Sequence, residues 1–251
     1  MSTLHAGSRF PRRPALVAGW LLWGLAGCQT SPAPGEKPPP VPVVAPGVAA
    51  AGVVPAGAAE WHVVPEESLL QILVYRGGAM ARLGHNHVIS SHQVAGTVYV
   101  TGDPLQTRFD VSIPVNELTV DEPAMREMNG ADFPPGVPQS ARDGTRTNLL
   151  SEALLNGAVF PAIRLRATDV IEAANGYDIG VEITLKDQSH AVRVPVVVER
   201  AEGSLKATGE FTLKQSELGL QPFSVAMGTL VVLDEMKVRF DVTAKSGSVP
   251  H

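Results

Sequence analysis

Three histidines that lie close together are the densest set of potential ligands in the sequence. His85 and His87 belong to the run Gly-His-Asn-His, and His92 follows five residues after His87. In a strand, residues two apart share a face, and neutral imidazole is a common ligand of metal ions. The cluster therefore suggests zinc, copper or haem as a cofactor. A zinc site needs three or four ligands, and His92 would be only the third. We therefore favour a simpler interpretation, in which the histidines are polar side chains at the rim of a β-barrel.

The sequence has few features of an enzyme. It contains no Gly-x-Ser-x-Gly motif, and its single cysteine, Cys28, lies in the N-terminal leader. The neighbouring acids Glu66 and Glu67 have the setting of solvated turn charges, not of a carboxylate pair in an apolar pocket. Nothing in the spacing of serines, histidines and aspartates supports a catalytic triad. We therefore expect no enzymatic activity.

The first 28 residues have the pattern of a bacterial export signal. Three arginines form a positive start: Arg9, Arg12 and Arg13. An apolar segment of about twelve residues follows, too short to span a bilayer, and it ends in Leu-Ala-Gly-Cys28. That ending resembles the lipobox of bacterial lipoproteins and predicts lipidation of Cys28, although an ordinary signal peptide is the alternative. Because Gln29 and not Asp follows, the usual sorting pattern predicts an outer-membrane anchor facing the periplasm.

The chain then divides into a tether and a folded body. Residues 29–59 are almost entirely Pro, Gly, Ala and Val, a composition that predicts an extended tether. A body over residues 60–245 follows, and its composition suits a globular domain. The net charge of −5 and the absence of a basic stripe argue against nucleic acid as a partner. The oligomeric state stays open.

The body alternates apolar and polar residues with a period of two. The pattern is clearest from Gly176 to Lys214, where short turns near Gln188 and Gly203 separate three runs. Alternation of this kind predicts strands with one buried face, and such short turns make neighbours antiparallel. The same pattern on both sides gives about eight or nine strands in all. It predicts an all-β fold, either a closed barrel or a sandwich.

The sequence pattern changes between Thr119 and Pro161 and predicts a helical insertion. We expect one short helix from Glu122 to Met128, capped by Asp121. A second helix is expected to begin at Asp143 or Thr145 and to reach Leu155. Four large side chains lie on or beside the insertion: Met125, Met128, Phe133 and Phe160. We expect them either to pack the insertion onto the barrel or to form a soft lid over its mouth.

Four segments in a fixed order give the body a family resemblance. They are residues 109–121, 147–163, 180–198 and 209–220. In this order the segments resemble the YceI-like family of periplasmic polyisoprenoid-binding proteins. The resemblance implies a lipocalin-like antiparallel β-barrel of about eight strands with a short helical insertion. It also implies an apolar, chain-like ligand.

The inward faces of the strands define the expected ligand site. The residues expected there are Val111, Ile113, Leu165, Ile183, Val194, Val196, Phe211 and Phe240. Because only 5% of the residues are aromatic, the chain's own side chains are expected to underfill this interior. An unfilled apolar cavity stays dry and favours hydrocarbon, so we expect a polyisoprenoid or fatty-acyl ligand. The alternatives are a metal- or haem-binding protein and a packed barrel that serves as a protein-interaction module.

Overall fold

The computed structural model describes residues 54–247. The predicted signal peptide, Cys28 and most of the predicted tether lie outside the described residues. Every strand of the barrel falls between Ala59 and Ser246, so residues 54–247 contain all the strands that close the sheet. No helix in this described part has the length and apolar character to cross a membrane.

Strands make up most of the described chain, with two α-helices inserted between the sixth and seventh. The strands are β1 (Ala59–Val63), β2 (Leu69–Gly77), β3 (His87–Ser91), β4 (Ala95–Val100), β5 (Arg108–Pro114), β6 (Thr119–Val120), β7 (Ala162–Ala173), β8 (Gly176–Leu185), β9 (Gln188–Ala201), β10 (Ser204–Lys214), β11 (Ser224–Val225) and β12 (Leu230–Ser246). The helices are α1 (Pro123–Met128) and α2 (Gln139–Leu150).

The sheet closes on itself as an eight-stranded antiparallel barrel. Neighbours around it run β1, β4, β5, β7, β8, β9, β10 and β12, and β12 pairs again with β1. A tight turn at Pro65–Glu67 separates β1 from β2, yet both pair with β12 and together fill one barrel position. β3 and β4 fill the next position in the same way. This closure confirms the predicted fold class.

The three central strands follow the alternation in the sequence. β8 and β9 meet at a turn in which Leu185 faces Gln188 and Lys186 takes a φ of 57°. β9 and β10 meet at a turn in which Gly203 has a φ of 70°, a conformation that glycine adopts without strain. β12 is one long strand of 17 residues. A shift in register between Val232 and Met236 absorbs the irregularity there.

The helical insertion is present, but its details differ from expectation. α2 begins at Gln139, after Pro138, and ends at Leu150, so it starts and stops earlier than predicted. The expectation followed the leucines, but the polar first turns of α2 carry no apolar pattern that would mark its start. Leu155 is buried beyond the helix end, in the barrel core. Asp121 does not cap α1; it takes a φ of 55° and its carboxylate bonds to β3.

Candidate ligand-binding cavity

An apolar cavity of about 410 Å³ occupies the inside of the barrel. All eight residues predicted from strand alternation line it: Val111, Ile113, Leu165, Ile183, Val194, Val196, Phe211 and Phe240. Alternation brings them together because side chains two apart on a strand share a face. Their position on the cavity wall is thereby established, whereas their contact with a ligand remains a prediction.

The size and chemistry of this cavity favour hydrocarbon over water. Its further lining is also mostly aliphatic and includes Leu70, Ile72, Val98, Ile163, Val170, Ile179, Val181, Leu213, Met236 and Val238. An apolar cavity of about 150 Å³ can stay dry and take up benzene. Ligand sites generally have volumes of roughly 300 to 1,000 Å³. A cavity of about 410 Å³ is therefore large enough for a substantial part of a lipid chain.

The cavity is closed at one end of the barrel and open at the other. At the closed end, the lining residues Leu185 and Leu218 are buried, and Leu155 of the insertion packs into the same core. At the open end, the lining residues Pro104, Val198 and Arg200 are exposed to solvent. The exposed part of the lining is therefore at the end that carries the turns after β4 and β9.

None of the four residues considered as a lid lines this cavity. Met125 and Phe133 pack against Leu73 and Val88 on the outer face of β2 and β3, in a cluster separate from the barrel core. Met128 is 62% exposed, and Phe160 is half-buried beside the start of β7. The placement of Met125 and Phe133 favours the packing interpretation over the lid.

The three histidines do not converge on one metal centre. Nδ1 of His87 lies 2.6 Å from Oδ2 of Asp121, whereas Nε2 of His92 lies 2.8 Å from Oε2 of Glu122. The rings of His85 and His87 are 6.2 Å apart, edge to face. Within residues 54–247, no group of three or more His, Cys, Asp or Glu side chains is arranged to hold a metal ion.

Asp121 is the centre of a buried polar network that joins the insertion to β3. Its Oδ1 accepts hydrogen bonds from the Val88 N–H at 2.9 Å and from Arg126 at 2.6 Å. Arg126, only 2% exposed, also donates to the carbonyls of Asn86 and Pro134. Both partners of this ion pair are therefore held by further hydrogen bonds, as a buried pair requires.

This network has clear electrostatic consequences. Burial alone would raise the pKa of Asp121. Hydrogen bonds from His87, the Val88 N–H and Arg126, together with the charge of His87, hold this pKa below its ordinary value. His85 behaves differently. Partial burial, followed by the nearby charge of His87, lowers its pKa below the ordinary histidine value.

A proton relay is suggested by the contacts of His87 with Thr145 on one side and Asp121 on the other. The distances are instead those of a structural contact. Oγ1 of Thr145 lies 3.5 Å from Nε2 of His87, a long separation. The same hydroxyl donates its hydrogen to the carbonyl of Ala141 at 3.0 Å, one turn earlier in α2. Because its hydrogen is directed to Ala141, Thr145 is not activated by His87.

A comparison with protein families provides the classification. The model of the YceI-like domain matches residues 61–244, which is most of the chain. The chain belongs to the YceI-like family. None of the curated proteins matches it.

The chain also resembles several solved structures. BcnA of Burkholderia cenocepacia aligns with a TM-score of 0.54 at 15% identity, over 73% of this chain and 99% of its own. A polyisoprenoid binding domain from Saccharophagus degradans, implicated in plant cell wall breakdown, gives a TM-score of 0.47 at 11% identity, over 76% and 99%. The Campylobacter jejuni YCEI protein gives 0.42 at 9% identity, over 62% and 82%. At this level of identity, the alignment with BcnA shows a shared fold.

Two residues of this YceI-like barrel were missed as site residues in the sequence. Arg200 lines the open end of the cavity, and Trp61 packs against it with a ring centroid 5.7 Å from Cζ of the guanidinium. The signal was available, because Arg200 continues the inward positions of Val194, Val196 and Val198 along β9. However, an arginine just before a turn has the usual appearance of a solvated charge, so the pattern alone does not mark Arg200 as a site residue.

Proposed function

We propose that this protein binds an apolar, chain-like lipid of the polyisoprenoid or fatty-acyl type inside its barrel. The observation that carries the proposal is the apolar cavity of about 410 Å³, whose lining is buried at one end of the barrel and exposed at the other. Its walls provide hydrocarbon contacts along their full depth. The polyisoprenoid implied by the YceI-like resemblance is a chain of this kind.

Burial of hydrocarbon supplies the driving force for such binding. Each CH₂ group moved from water into an apolar site contributes about 0.8 kcal/mol. A chain within the cavity contacts residues such as Ile183, Val196 and Phe211, and it needs no charged partner to be held there. A barrel filled by its own side chains, the interaction-module alternative, does not fit a cavity of this size.

We further propose that the protein carries or sequesters its ligand and does not transform it. Within the described residues, the polar groups nearest to a catalytic arrangement are Asp121, His87 and Thr145. Asp121 and His87 are engaged in the joint between the insertion and β3, and Thr145 donates within α2. The cavity itself presents almost no polar side chains. A wall of this composition suits storage or transfer of a lipid.

The proposed setting is the cell envelope. We infer lipidation at Cys28, an anchor in the outer membrane and a tether over residues 29–59, on the basis of the lipobox-like leader. The placement of β1 indicates where the tether would join the barrel. Ala59, where β1 begins, pairs with Val100 at the open end of the barrel. The tether would therefore join the barrel beside the cavity mouth, at the end where a lipid enters.

Titration with a neutral isoprenoid alcohol tests the binding proposal. We would use residues 54–247 after organic extraction, because they contain every strand of the barrel, and follow uptake by isothermal titration calorimetry. Val196 faces the cavity, whereas its neighbour Val197 is 45% exposed. We expect saturable 1:1 binding that Val196→Trp weakens about tenfold or more, since a tenfold loss needs only about 1.4 kcal/mol.

The matched control is Val197→Trp, which places the same ring on the outside of the same strand. We expect this variant to bind as the wild type does. Absence of saturable uptake in the wild type, or equal weakening by both substitutions, would contradict binding inside the barrel.

A further inference from the structure

Arg200 is the charged residue of the cavity wall. Among the lining residues in the described part of the chain, it alone carries a charge. It lies at the open end, on the inward face of β9 beyond Val196 and Val198. The other polar lining residues, Thr101, Thr107 and Tyr177, carry hydroxyl groups. The cavity therefore combines a deep apolar wall with one cation at its mouth.

Trp61 supports Arg200 at the cavity mouth. The Arg200 guanidinium lies over the Trp61 ring, 5.7 Å from its centroid, a cation–π contact that fits both charge and shape. Trp61 is only 7% exposed, so it gives the arginine a rigid support. Within residues 54–247, the Arg200 guanidinium forms no ion pair and no hydrogen bond with another side chain or carbonyl. Its N–H donors are therefore available to an acceptor from outside.

A second unused donor lies on the same ring. Nε1 of Trp61 is buried and has no acceptor among the described residues, although a buried indole N–H usually finds one. The neighbouring Glu199 lies on the opposite face of β9, where it acts on Lys206. Among the described residues that line the cavity, none is a carboxylate that would compete for Arg200.

We propose that the cavity selects amphiphiles whose apolar chain ends in an anionic head group, a carboxylate or a phosphate, and that Arg200 binds this head group. The proposal rests on the proposed function, since it takes for granted that a lipid chain enters the cavity. Because the far end is closed, the chain enters tail first and its head stays at the mouth. There, the planar guanidinium matches the paired oxygens of a carboxylate or phosphate.

The test compares ligands that share a chain and differ in the charge of the head group. We would measure the affinity of delipidated residues 54–247 for a long-chain fatty acid and its methyl ester, and for an isoprenoid monophosphate and the corresponding alcohol. We expect each anion to bind about tenfold more tightly than its neutral partner, since charge-assisted hydrogen bonds are the strong ones. The two series distinguish a carboxylate from a phosphate as the preferred head group.

Two substitutions on the same strand assign the preference to Arg200. Arg200→Gln is expected to remove the preference for the anion and to leave affinity for the ester within about twofold. Arg193→Gln is the matched control, because Arg193 lies on the outer face of β9 and pairs with Asp169. It is expected to leave both affinities unchanged.

The outcomes separate this inference from the proposed function. If acid and ester bind with equal affinity to the wild type, or if Arg200→Gln weakens both equally, the head-group site is wrong while the lipid cavity stands. If neither the anions nor the neutral ligands bind, both proposals are wrong. The preference of the wild type is informative by itself, whether or not the Arg200→Gln variant folds.

Discussion

Arg126 donates a 2.6 Å hydrogen bond to Asp121 although both side chains are almost completely buried. The two residues are five apart in the sequence and hold the start of the insertion against β3. Desolvation of two charges is unfavourable, and removal of one partner leaves the other buried and unpaired. The joint therefore depends on both residues.

This pairing predicts a large effect of Asp121→Asn on stability. The substitution keeps the shape of the side chain but removes its charge, which leaves Arg126 unpaired. We expect the free energy of unfolding to fall by about 3 to 5 kcal/mol in chemical denaturation. Asp241→Asn is the control, because Asp241 and Lys206 form a pair in which both side chains are 44% exposed. Because solvent screens an exposed pair, Asp241→Asn should have a much smaller effect. A similarly small effect at Asp121 would contradict the buried joint.

The lowered pKa of Asp121 predicts a loss of stability in acid. The ordinary value is 3.8, so as pH falls the unfolded chain takes up the proton before the folded protein does. The stabilising contribution is complete above the unfolded-state pKa and is lost as pH falls through the lower folded-state pKa. We expect the difference in unfolding free energy between wild type and Asp121→Asn to shrink from about pH 5 to about pH 2. A difference that stays constant over this range would contradict the lowered pKa.

Much of the ligand cavity can be predicted from the sequence, because the geometry of a strand alternates by necessity. Ile183 and Val196 belong to runs of strict period two, and this places both on the same wall. The burial of Arg126 cannot be predicted in the same way. In sequence it is a charged residue in a short helix, and only the tertiary pairing with Asp121 explains its position.

The parts that were missed depend on contacts between distant segments. α2 begins in the polar stretch after Pro138, where no apolar period marks a start. The break between β1 and β2 is bridged by β12, about 170 residues later, so local pattern gives no sign that they share one barrel position. Arg200 did have a local signal, its parity along β9, but its role depends on Trp61, which lies on β1.

The histidine cluster is predicted to be independent of metal. His87 bonds to Asp121 and His92 bonds to Glu122, so their lone pairs and N–H groups serve separate contacts. We expect purified protein to contain no stoichiometric zinc or copper, and its unfolding midpoint to be unchanged by a chelator. One equivalent of metal in the wild type, lost in the His85→Ala/His87→Ala double variant, would restore the metal-site interpretation.

The leader predicts a lipid-modified Cys28. We expect mass spectrometry of the mature N-terminal peptide to show an acylated cysteine, and the protein to fractionate with outer membranes. Cys28→Ser is expected to abolish the modification and to shift the protein away from the outer-membrane fraction. An unmodified terminus in the wild type, with unchanged partitioning of Cys28→Ser, would contradict the lipoprotein proposal.

Native mass spectrometry of the barrel purified from a bacterial envelope tests lipid binding most directly. We expect a hydrophobic species to co-purify, to be released by organic extraction, and to be absent from the Ile183→Trp/Val196→Trp variant, in which two indole rings occupy the cavity. A clean apo mass for the wild type, with no uptake of added isoprenoid or fatty acid, would contradict the lipid-binding function.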